Sequence, residues 1–78
     1  MSIHIGKEIE KIVREQRMTV VDLSRGLGCN RTNVYRIFDA PTIDSGILAR
    51  LSIILEFDFF KLYSEELALK LSENGLAQ

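Results

Sequence analysis

The chain of 78 residues has no tryptophan, one cysteine (Cys29), one histidine (His4) and one proline (Pro41). A single cysteine excludes an intrachain disulfide, and one cysteine with one histidine is too few to build a zinc site of those ligands. Catalysis lacks its usual groups: there is no phosphate-binding glycine loop, and so short a chain leaves little room for an enclosed pocket. The expectation is a protein that is not an enzyme and carries no cofactor. No apolar run approaches the roughly 18 residues of a membrane span, and "MSIHIGKEIE" has no basic segment leading into an apolar block. A cytoplasmic location is therefore expected, with no membrane partner. Long period-two alternation is also missing, although "IILEFDFF" taken alone fits a buried strand. Hydrophobic residues make up 46% of the chain with no low-complexity run, enough to exclude disorder.

What is present is helical periodicity in one domain. Ile5, Ile9, Ile12 and Val13 form one stripe, predicting an amphipathic helix from about Ile5 to Arg17, with His4 as a solvated or capping residue at its start. Glu10 is spaced to pair with Arg14, and Lys7, Lys11 and Arg14 read as a solvated face. Thr19 is suited to cap a second helix that begins at about Val20, with Asp22 completing an acidic variant of the capping box. That helix turns Val20, Leu23 and Leu27 inward and ends where Gly28 takes the left-handed conformation. Cys29, read as a small half-buried apolar residue, separates it from Asn30, the cap of a third helix through about Phe38. Ala40 and Pro41 stop the third helix. Asp44 caps a fourth helix, with Ile43 stapled to Leu48 and with Ile47, Leu51, Ile54 and Leu55 extending its buried stripe. Asp58 caps a fifth helix, "FFKLY". Ser64 is expected to start a separate short helix through about Glu73, stopped by Asn74 and Gly75.

Charge is uneven along the chain. Residues 1–38 hold seven Lys and Arg against four Asp and Glu, a balance of +3, and residues 39–78 hold three against seven, a balance of −4. A basic front with an acidic back suits a phosphate-facing surface, although an asymmetry this small also fits two ordinary solvated faces.

A short helix, a tight turn and a second helix with a polar exposed side have the form of a helix-turn-helix. Val20, Leu23, Leu27, Val34, Ile37 and Phe38 supply the apolar positions, Ser24 is the small residue for the helix crossing, and Gly28 permits the turn. Residues 5 to about 63 resemble the phage repressor and Cro type of this motif, the XRE family of regulators. The resemblance is carried by "IGKEI", "MTVVDLSRGLG", "NRTNVYRI" and "LARLSIILEFDFFKLY" in that order and spacing. It implies a compact all-α, five-helix lambda-repressor-like domain over residues 1–63, with residues 64–78 as a short C-terminal helical extension.

The resemblance further implies roles. Arg31, Thr32, Asn33 and Arg36 match positions from which the family reads bases in double-stranded DNA. The chemistry agrees: arginine pairs bidentately with guanine, asparagine with adenine, and threonine offers a hydroxyl and a methyl. Asn30, Tyr35 and Thr42 resemble positions that touch the sugar-phosphate backbone, which sets register and not sequence. The bland alternatives are that Asn30 only caps, Tyr35 only covers the core edge, and both arginines are merely solvated. Three departures stand out. Val20 replaces a glutamine that braces a phosphate, Val13 replaces an arginine of a buried ion pair, and Arg17 and Ala40 stand where the family often has glycine. Arg17 is itself a candidate for a phosphate contact.

The end of the chain, "SEELALKLSENGLAQ", carries Leu67, Leu69, Leu71 and Leu76, more apolar surface than one side of a short helix buries. Core closure and a homodimer interface both account for it. A repressor acting as a homodimer is the expectation. The alternative is an antitoxin-like or other protein-binding module whose acidic, leucine-rich end engages a second protein.

Overall fold

The computed structural model of the chain describes residues 2–73, and these hold five helices and no strand. They are α1 (Ile5–Glu15), α2 (Val20–Leu27), α3 (Arg31–Asp39), α4 (Ser45–Leu55) and α5 (Phe60–Glu73). The all-α five-helix expectation is met.

Side-chain caps start four of them, as the sequence indicates. His4, Thr19, Asn30 and Asp44 accept hydrogen bonds from the amides of Lys7, Asp22, Asn33 and Ile47. Each satisfies one of the amides that a first helical turn leaves without an internal partner. Asp58 does the same for α5 through the amides of Phe60 and Lys61. Gly28 closes α2 at φ 70°, and its neighbour Cys29 donates its amide to the Ser24 carbonyl at 3.0 Å. Helix α1 ends earlier than its periodicity suggests, because Arg17 leaves helical geometry with φ 57°. The chain thus makes, with an arginine, the left-handed turn for which glycine is the usual choice. Ala40 needs no such freedom, since its φ of −80° and ψ of 123° suit any residue.

Helices α1 to α4 pack around one core in which Ile5, Ile9, Leu23, Val34, Leu51 and Leu55 are fully buried. Val13 is buried among them, so the aliphatic residue found there is at home in the interior. The first turn of α1 lies against the end of α3 so closely that main chain meets main chain. The Ile5 amide donates to the Pro41 carbonyl at 3.2 Å and the Gly6 amide to the Ala40 carbonyl at 2.9 Å. A β-carbon at Gly6 would overlap the carbonyl oxygens of Ile37 and Phe38. On the opposite side, the Gln16 side chain donates to the Leu55 carbonyl at 2.5 Å, tying the α1–α2 connection to the end of α4.

The last helix departs from expectation. Residues 60–73 form one helix, not two, and Ser64 caps nothing: its hydroxyl donates back to the Lys61 carbonyl inside the helix. With no glycine or proline between Asp58 and Glu73, the chain has no cause to stop at Ser64. Phe59, fully buried and 4.8 Å from the Phe57 ring, anchors the start of α5, and Leu62 and Tyr63 reach the core in part. No residue within α5 is buried. The outer turns project, giving dimensions of 45 × 21 × 20 Å. The expected stop at Asn74 and Gly75, and Leu76, lie outside the described residues.

Candidate nucleic-acid interface

Helix α3 is anchored on one side and open on the other. Val34 is fully buried, Phe38 nearly so and Ile37 half so, while Arg31, Thr32, Asn33, Tyr35 and Arg36 are exposed. The division follows from spacing: positions 34, 37 and 38 share a helical stripe, and the hydrogen-bonding side chains fall off it. Asp39 is exposed as well, at the far end of α3, while Arg31, Thr32, Asn33 and Tyr35 fall within its first turn and a half, at the end that follows the Gly28 turn.

The remaining site residues divide by role. Asn30 spends its side-chain oxygen on the Asn33 amide at 2.9 Å, so its capping role is fulfilled, and its own residue remains exposed. Tyr35 is 55% exposed and meets Phe38 edge-on with ring centroids 6.3 Å apart. It covers the rim of the core with one edge of its ring and offers the rest to solvent. Thr42 is exposed in the connection after α3. Arg17 is also exposed, but in the α1–α2 connection, and no hydrogen bond among the described residues joins it to α3. Arg14 is engaged with Glu10 at 2.9 Å, which leaves that side of α1 a solvated face with internal pairing.

Folding creates one feature of the site that no local stretch of the sequence displays. The end of α2, the inner flank of α3 and the first half of α4 meet around an open groove of about 400 Å³. Its walls are Leu27, Cys29, Ile37, Ala40 and Ile47, and its polar members are Asn33, Arg36 and Arg50. Arg50 is held in place by a hydrogen bond from Nη2 to the Leu27 carbonyl at 2.8 Å. Its contribution is hidden in the sequence because it belongs to the acidic half of the chain. The available signal is that it lies one helical turn after Ile47, on a helix whose stripe must face α2 and α3.

The site carries the guanidinium groups of Arg31, Arg36 and Arg50, with Asp39 exposed at the end of α3. The ion pairs among the described residues are Glu10 with Arg14 and Lys70 with Glu73, so neither reaches Arg31, Arg36 or Arg50. No group of His, Cys, Asp and Glu among the described residues is placed to hold a metal ion, and no helix is long and apolar enough to cross a membrane. What the surface offers is guanidinium, amide and hydroxyl donors on the exposed side of a packed helix. No family model, no curated protein and no solved structure matches this chain.

Proposed function

We propose that this chain is a sequence-specific DNA-binding regulator of transcription, a repressor of the XRE helix-turn-helix kind, acting in the cytoplasm without catalysis or cofactor. The observation that carries the proposal is the division of α3. The helix buries Val34 and Phe38, follows a left-handed Gly28 turn, and leaves Arg31, Thr32, Asn33 and Arg36 exposed together. Arg31, Thr32, Asn33 and Arg36 read base edges in the major groove. Asn30, Tyr35, Thr42 and Arg17 grip the backbone, where contacts fix register.

A single module reads few base pairs, so the working form is a homodimer on an inverted repeat with half-sites about 34 Å apart. Exposed Phe60, Leu67 and Leu69 support a dimer contact through α5. The same exposure favours a second reading, in which α5 engages a different protein in the manner of an antitoxin.

Selection of bound duplexes from a randomised pool, with wild type and Arg31→Ala in parallel at two salt concentrations, tests the first reading. The expected result is an inverted-repeat motif from which Arg31→Ala loses one preferred base, at a cost of about 1–3 kcal/mol. Binding should weaken with salt, since the contacts displace counterions. Absence of enrichment at low salt, for protein whose circular dichroism is that of a folded helical domain, overturns autonomous DNA recognition and favours the partner-binding reading.

A further inference from the structure

The groove between α2, α3 and α4 has a composition that DNA recognition does not account for. Its floor and walls are aliphatic or weakly polar, contributed by Leu27, Cys29, Ile37, Ala40 and Ile47. A surface built only to meet phosphates and base edges has no use for such a recess. Its volume of about 400 Å³ is within the range of small-molecule sites, roughly 300–1,000 Å³.

The polar members select the ligand. Arg36 and Arg50 approach the groove from α3 and α4, and no carboxylate lines it. Arg50 commits one N–H to the Leu27 carbonyl at 2.8 Å, which orients the guanidinium and leaves its other donors for a ligand. Asn33 adds an amide at the same rim. A cation meets repulsion here, and a wholly apolar molecule covers guanidinium donors without satisfying them. A molecule with an apolar body and one carboxylate satisfies both parts, with the body on the aliphatic walls and the head paired to a guanidinium fork.

We infer that this groove is a binding site for a small amphiphilic carboxylate, of the size of a medium-chain fatty acid. Arg50 anchors the head group, and Leu27, Ile37, Ala40 and Ile47 receive the chain. The consequence for regulation rests on the DNA-binding reading: Asn33 and Arg36 belong to both surfaces, so ligand and DNA exclude each other.

Cys29 supplies an internal reporter, because it is half-buried in the groove wall and is the chain's one thiol. The probe is decanoate, below its micelle concentration, with decanol as the uncharged control of equal chain length. The readout is the rate of Cys29 alkylation by N-ethylmaleimide in the absence of DNA. Decanoate is expected to slow alkylation at least threefold and saturably, and decanol to slow it less. Arg50→Gln should remove the difference between the two, and Ala40→Leu, which fills the groove, should remove protection by both. Circular dichroism checks that each variant is folded, and a detergent-like effect is recognised because unfolding speeds alkylation. Equal protection by decanol and decanoate, or protection by decanoate that survives both substitutions, overturns the site, as does a complete absence of protection. With protection established, decanoate should release bound DNA from wild type and not from Ala40→Leu. Release from both, or from neither, overturns the mutual exclusion while leaving the site, and a chain that binds decanoate and no DNA overturns the DNA-binding reading alone.

Discussion

Helices α3 and α5 each present an open side to solvent, and the two sides are opposite in kind. Helix α3 buries Val34 and Phe38, half-buries Ile37 and exposes mainly polar side chains, so the folded chain accounts for most of its apolar surface. Helix α5 buries none of its own residues, and Leu67 is 48% and Leu69 66% exposed. At 14 residues α5 has about the length at which an isolated helix is marginal in water. Its inner end is secured by Phe59 and its outer end rests on little. The open side of α3 is polar and the open side of α5 is apolar, and the latter is the face on which the proposed dimer or partner contact rests.

The contrast is broken most directly by paired truncations. Leu51→Ala, in the core, is expected to cost about 2–5 kcal/mol in a urea titration followed by circular dichroism. Leu69→Ala should cost less than about 0.5 kcal/mol at concentrations where the chain is monomeric. A comparable loss from both substitutions would mean that α5 is integral to the monomer core. The contrast is sharpened by sedimentation, since Leu67→Lys with Leu69→Lys should weaken self-association without lowering the monomer's stability.

Next in size is Gly6→Ala. The added methyl overlaps the Ile37 and Phe38 carbonyls, and both are backbone atoms that cannot rotate away. A loss of about 3 kcal/mol is expected by the same titration. A neutral result would show that α1 shifts freely on α3, so that the α3 side of the comparison is less fixed than its contacts imply.

Smaller again is Glu56→Gly. Glu56 closes α4 in the left-handed region at φ 50°, where glycine carries no side-chain strain. A gain of about 0.5–1 kcal/mol is expected, as strain relief exceeds the added freedom of the unfolded chain. A loss would show that the Glu56 side chain contributes more than the turn costs.

The smallest effect concerns the tie between the N-terminal arm and α5. The Ser2 amide and hydroxyl donate to Glu66 Oε1 at 2.8 and 2.9 Å. These bonds, helped by nearby Lys70, hold the Glu66 carboxyl below its ordinary value. Because the folded value is depressed, the contribution is present above the ordinary glutamate range and is lost as pH falls through the depressed value. The Ser2 amide resonance should therefore move in an acid titration, and Glu66→Gln should reduce that movement with little change in unfolding midpoint. An unchanged Ser2 resonance across the titration would rule out the contact in solution.

Most of the four-helix body is legible in the sequence because its cues are local. Thr19, Asn30 and Asp44 cap through their own side chains, Gly28 turns left-handed, and the stripes of α1 and α3 are buried in register. The misreading at Ser64 has a local cause too. Serine followed by two glutamates is a starting signal, but Ser64 arrives one turn into a helix that Asp58 has already begun, and its hydroxyl turns back to Lys61. Gly6 could not be read at all, and Arg50 only as a residue one turn beyond Ile47. The one matters through Ile37 and Phe38 and the other through Leu27, residues far away in sequence and adjacent only after folding. The division of α3 is therefore visible in sequence, and the groove along its flank is not.

The seam between α1 and the residues after α3 has a consequence for how such a surface diversifies. The bonds from Ile5 and Gly6 to Pro41 and Ala40 are made by main-chain atoms alone. They grip the far end of α3 like a clamp on a lever, whatever side chains the lever carries. The outward residues 31–33 and 36 can then be exchanged as a set while the clamp keeps its hold. On the DNA-binding reading proposed above, recognition can change at those positions while the demand for a stable scaffold falls on Gly6, which sits in the seam.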